Sequence, residues 1–147
     1  MTLAELFDAS PARRIQWNGR ELVRDLEVAI DTGYEVHIHF LQSCAVPVQG
    51  IGIKCKSCQI EVAGERLSHI GLWRDTAPPE VLLRVATAGS GATITFFNQW
   101  RDEKHGTTMY HLNNAAMQIE KESSNVFLVR CSDGWGPIDL SDLEFRV

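Results

Sequence analysis

The sequence predicts an all-β protein: a two-sheet antiparallel β-sandwich, with the jelly roll as one version among others, and a short N-terminal helix. Three observations carry this. Side chains on a strand point alternately to opposite faces, so a half-buried strand alternates apolar and polar residues. That alternation dominates from Asp25 onward. Roughly ten short runs rich in β-branched and aromatic residues then follow one another at near-regular spacing. Between them stand Gly, Pro, Asn and Asp, the residues that turns need.

The elements follow in order. Thr2 and Glu5 match the capping-box pattern around Leu3, Leu6 and Phe7, and Pro11 ends any helix begun there. Leu26, Val28 and Ile30 alternate with Asp25, Glu27 and Asp31. In "YEVHIHF", Val36, Ile38 and Phe40 alternate with Glu35, His37 and His39. With Thr32-Gly33 as the turn, these two runs predict a hairpin. Leu22, Val23, Leu26, Ala29 and Ile30 also share one helical face, which Gly33 would cap, but β-branched Val28 favours the strand. Ile51, Ile53 and Cys55 make the next strand pattern, and Cys58, Ile60 and Val62 another. "RLSHIGLW" and "EVLLRVA" follow, then a turn at Gly89-Ser90-Gly91 and the strand "ATITFFNQW". Asn113-Asn114 is expected to turn a hairpin between "TTMYHL" and "AAMQIE". "VFLVRC" runs into the turn "SDGWGP", and "DLEFRV" sets Leu143, Phe145 and Val147 on one face. A single domain over 1–147 accounts for this pattern.

Composition narrows the function classes. Apolar residues at 44% and charged residues at 22% exclude a disordered chain. A net charge of −5 argues against a nucleic-acid partner, which needs a basic footprint. The start of the chain lacks a leader pattern, and no run approaches the ~20 apolar residues of a membrane helix. A cytoplasmic protein without a membrane partner is expected, with Cys44, Cys55, Cys58 and Cys131 as reduced thiols.

The tryptophans give the leading functional reading. Trp73, Trp100 and Trp135 stand where strand patterns meet polar loops, in "LWRDTAPP", "FFNQWRDEKHG" and "SDGWGP". Rings at such positions stack on sugar faces or small ligands, while Asp75, Asn98, Arg101 and Asp133 are at hand to fix orientation. The same rings can instead close the ends of a sandwich core. The reading is a non-catalytic module, without a cofactor, for a carbohydrate or other small polar ligand. Its ligand-binding residues are Trp73, Asp75, Asn98, Trp100, Arg101 and Trp135.

His37 and His39, two apart on a strand, face the same way: they read as the solvent-facing side of that strand or, alternatively, as two corners of a divalent-metal site. A third ligand would come from His69, His105, His111 or a carboxylate. The fragment "GYEVHIHF" resembles the first motif of the cupin family in its Gly, short gap and His-x-His. It differs in gap length, and Gln42, Ser43 and Cys44 stand where that motif has Glu. The resemblance spans fewer than ten residues and carries over neither the cupin metal nor its chemistry. The alternative function is a small metal-dependent jelly-roll enzyme using His37 and His39. A third reading is a structural interaction domain without a small ligand. Open sheet edges allow a homodimer in any of these.

Two further motifs have competing readings. In "KCKSC", Cys55 and Cys58 supply half a zinc site, completed by Cys44 and Cys131 only if the fold gathers them. Otherwise they point inward as small hydrophobes. Asp133, Asp139 and Asp142 offer carboxylates for calcium without EF-hand spacing. Asp133-Gly134 also reads as a turn, and Asp139 or Ser141 as a cap. The G-x-S-x-G, P-loop, G-x-G-x-x-G and HExxH patterns are absent, and no spacing selects a catalytic triad.

Overall fold

The computed structural model describes residues 1–147. Helix α1 (Leu3–Asp8) begins with the expected capping box: Thr2 Oγ1 accepts the Glu5 N–H, and Glu5 accepts the Thr2 N–H at 2.7 Å. Its Leu3 and Phe7 are buried with Ile15, Leu22, Ala116 and Leu140. Strands follow: β1 (Arg14–Trp17), β2 (Arg20–Val23), β3 (Leu26–Ala29), β4 (Glu35–Ser43), β5 (Gln49–Val62) and β6 (Glu65–Leu67). Then come β7 (His69–Trp73), β8 (Glu80–Arg101), β9 (Thr108–Met109), β10 (Ala116–Ser123), β11 (Val126–Ser132) and β12 (Leu143–Arg146).

The protein is all-β and antiparallel, and its hydrogen bonds join the twelve strands into one open sheet. The path runs β1-β2-β10-β11-β12-β4-β8-β5-β6, with β3 and β9 on β8 and β7 on β5. The sequence reading expected two sheets. The strands form one network because β5 and β8, 14 and 22 residues long, change neighbours along their length. Early in β8, Glu80–Arg84 pairs with β4; later, Thr93–Phe96 pairs with β3. On its other edge β8 follows β5 nearly throughout.

Four local expectations change with this pairing. Gly89-Ser90-Gly91 does not end a strand: β8 runs through it, with Gly91 at φ +70°. The two runs around the CxxC are likewise one strand, β5. A bulge sits there, marked by Ser57 at φ +57° and a register shift between Lys56 and Cys58. A bulge adds a residue to one strand and bends it. The hairpin expected across Thr32-Gly33 does not form, because β3 and β4 bind different stretches of β8. Nor do β9 and β10 pair: β9 adds to Trp100–Arg101, while β10 lies between β2 and β11.

The main core contains Ile38, Phe40, Ile51, Ile53, Leu83, Ile94, Phe96, Val129, Leu143 and Phe145, among others. These are the apolar phases of the alternating patterns. No helix is long and apolar enough to cross a membrane.

Candidate functional site

Register lays out one surface of the β7, β5 and β8 strands. Trp73 is opposite Gly50, which is opposite Gln99. Gly71, Gly52 and Phe97 form the next such row, and His69, Lys54 and Thr95 the one beyond. These residues lie two apart along their strands and share a face. Three of the nine are glycines, and aromatic rings cover two of them. A Cβ on Gly50 would meet Trp73 Cε3 at 2.8 Å, and one on Gly52 would overlap the Phe97 ring. The absent side chains let both rings lie against the backbone.

More groups converge above this floor. Tyr110 stands with its ring centroid 5.2 Å from that of Phe97, and His111 packs edge-on to Tyr110. The Lys54 ammonium lies 5.2 Å from the Phe97 centroid and 5.4 Å from that of Tyr110. A depression of about 350 Å³ lies here, with Trp73, Phe97 and Tyr110 as apolar lining and His69, Gln99 and Thr108 as polar lining. At the Trp73 end, the Arg101 guanidinium sits 4.6 Å from the Trp73 ring and 3.2 Å from the Asp75 carboxylate.

Trp73, Asp75 and Arg101, three of the residues predicted to bind ligand, are therefore together. Asn98 and Trp100 have the opposite parity on β8 and face inward. Buried Asn98 donates to the Ser132 carbonyl at 2.9 Å, and buried Trp100 packs on Gly134. Trp135 is 64% exposed on its loop and does not line the depression. The sequence pattern does not single out Lys54, Phe97, Gln99 or Tyr110, and it offers His69 only as a metal ligand. The usable signal was Gly50 and Gly52, two apart within a strand pattern, where glycine marks a close approach.

His37 and His39 lie exposed on β4, 3.4 Å from Glu35 and 3.9 Å from Glu80 respectively. The cysteines are not gathered into one site. Cys58 Sγ donates to the Thr93 carbonyl at 3.5 Å, and burial pushes the Cys55 thiol up to about 12. Cys131 is fully buried, which raises its pKa far above the usual thiol range.

Cys44 instead joins the acidic loop. Its Sγ and carboxylate oxygens of Asp133 and Asp142 all lie within 4.8 Å of one another, the only such group of three potential ligands in the chain. Gln49, completely buried, reaches in between: its Nε2 donates to Asp133 Oδ2 at 2.7 Å and lies 3.3 Å from Cys44 Sγ. Burial raises all three pKa values, with neighbouring carboxylates adding to it. Cys44 rises to about 11 and Asp142 to about 7, and Asp133 also rises. Asp139 turns away and accepts from the Ser141 N–H and hydroxyl, which lower its pKa.

The fold and this surface define an all-β antiparallel protein with a glycine-floored aromatic face. Compared with protein-family models, curated proteins and solved structures, the chain matches none.

Proposed function

We propose that this chain is a non-catalytic binding module, and that the aromatic face receives a small polar ligand with a flat apolar side, a saccharide above all. The observation that carries this is the glycine floor under Trp73 and Phe97, which sets Trp73 and Tyr110, with polar His69 and Thr108, around one depression above the buried Phe97 and Gln99. Stacking supplies affinity for the apolar side of a sugar ring, and a few convergent polar groups fix its orientation. Lys54 lies at one end of the face and Arg101 at the other, and both favour a ligand carrying a carboxylate. We also read the bent β5 and β8 pair as the fold line of a two-layer sandwich. Residues from both ends of that pair, Ile51 and Phe96 as well as Ile60 and Val85, belong to one buried cluster, which supports this.

The test is a titration of intrinsic fluorescence and melting temperature against neutral and acidic saccharides. A ligand that binds only the folded state raises the melting temperature by mass action. At least one class of sugar is expected to do so, and Tyr110→Ala and Trp73→Phe are expected to weaken it at least about tenfold, ~1.4 kcal/mol. Both variants should keep the melting temperature of the free protein within a few degrees. A panel that moves neither signal rejects the reading.

A further inference from the structure

We propose that Cys44, Asp133 and Asp142 bind a divalent cation of zinc's class, with the Gln49 side-chain carbonyl as fourth donor. The site is separate from the aromatic face and does not rest on the function proposed for it.

The geometry comes from three distant parts of the sequence. Cys44 follows β4, Gln49 opens β5, and Asp133 and Asp142 flank the loop between β11 and β12. Two backbone bonds tie these pieces together: Cys44 N–H donates to the Asp142 carbonyl at 2.9 Å, and Asp133 N–H donates to Asp142 Oδ2 at 3.0 Å. The Trp135 N–H fixes the Asp133 carboxylate through Oδ1 at 2.8 Å. Zinc donors at about 2.0–2.3 Å from the ion stand roughly 3.3–3.8 Å apart. The three ligand atoms, within 4.8 Å of one another, close on an ion by moving about an ångström.

Gln49 is the independent observation. It is completely buried, yet its Oε1 has no hydrogen-bond partner. A buried amide oxygen left unpaired is destabilising. Its carboxamide nitrogen points into the cluster, donating to Asp133 and to the Pro47 carbonyl at 3.1 Å and lying against Cys44; turning Oε1 to that point exchanges those bonds for a cation held by Cys44 and Asp133. Amide O and N have nearly the same shape, and a half-turn of the group exchanges them.

The donor set names the class of ion. One thiolate favours a borderline-soft metal, and the oxygens accept one as well. Calcium prefers six to eight oxygens and has no use for the sulfur. A route to solvent exists along a depression of about 450 Å³ lined by Gln42, Ser43, Cys44, Gln49, Arg74 and Asp75. The cation also relieves the crowding of three acidic groups, so its binding releases protons.

The experiment loads the full chain, purified without a histidine tag, with cobalt(II) as the zinc analogue. The expected result is one ion per chain, with a thiolate-to-cobalt charge-transfer band. That band should vanish in Cys44→Ser and persist in Cys58→Ser, and Asp142→Asn should weaken binding at least about tenfold. Circular dichroism checks that each variant folds. X-ray absorption on the zinc-loaded wild type does not depend on the variants: one sulfur and three lighter donors support the site. No stoichiometric binding overturns it. So does a band that survives Cys44→Ser and disappears in Cys58→Ser, or a first shell with two sulfurs.

Discussion

The Phe97 ring fills the space in which a side chain on Gly52 would stand, directly across the β5 and β8 ladder. Phe97 is itself buried, covered from outside by Tyr110 and Lys54. Gly52→Ala must therefore push the ring outward or bend the strand. It is expected to destabilise by about 1–3 kcal/mol, the usual effect of overpacking. Urea denaturation of the variant measures this, and an unchanged midpoint would mean that the ring yields freely.

Arg101 contributes less. It stacks on Trp73 and pairs with Asp75, but both charged groups are partly open to solvent. Arg101→Ala should lower stability by no more than about 1 kcal/mol. The emission of Trp73 should change even so, because a charge leaves its ring face. Comparing spectra of Arg101→Ala in the Trp73→Phe background isolates that ring.

The inward residues behave differently from the outward ones. Asn98→Leu strips the Ser132 carbonyl of its donor inside the fold and should cost about 1–3 kcal/mol. Trp135→Ala, on an exposed ring, should stay within about 0.5 kcal/mol of wild type. Thermal unfolding of the pair tests the contrast; equal losses would place Trp135 in an unrecognised contact.

Asp142 gives stability a pH dependence of unusual sign. Its folded pKa of about 7 lies above the ordinary 3.8, so between those values the folded chain keeps a proton that the unfolded chain has released. Stability from this group falls as pH rises through that window. Asp133 is shifted the same way. Asp102, Glu122 and Asp139 are depressed instead; their contribution is present at neutral pH and is lost only below their ordinary values of 3.8 to 4.5. In buffer containing a chelator, stability should therefore decline from about pH 5 to pH 7. Asp142→Asn should flatten that slope. Denaturant midpoints at several pH values decide it, and a parallel slope in the variant would assign the effect elsewhere.

Period-two alternation made most strands legible, because burial of one face is written residue by residue. Val36, Ile38 and Phe40 point in, as do Leu143 and Phe145. Pairing is not written that way. Any amphipathic strand fits many partners, so β3 and β4 looked like a hairpin although each binds a separate part of β8. Gly89-Ser90-Gly91 looked like a turn because glycine serves a bend within a strand as well as a reversal. At the aromatic face, Trp73, Asp75 and Arg101 could be found from their loop-end positions. Gln99 and Phe97 could not, since choosing them over Asn98 and Trp100 requires knowing which face of β8 looks out. The cluster of Cys44, Gln49, Asp133 and Asp142 depends on β12 returning beside β4, which no local pattern in the sequence encodes.

That return has a consequence for biosynthesis. β12 lies between β11 and β4, with Phe145 opposite Phe40. On the ribosome, β4 emerges early and finds β8 for one edge. Its other edge has no partner until residues 143–146 leave the exit tunnel. Throughout that interval the nascent chain presents a row of free backbone donors and acceptors beside buried-type side chains such as Ile38 and Phe40, the kind of surface that chaperones hold and that neighbouring nascent chains can pair with. Codon-dependent pauses before residue 143 would lengthen that exposure, and fast translation through residues 143–146 would shorten it.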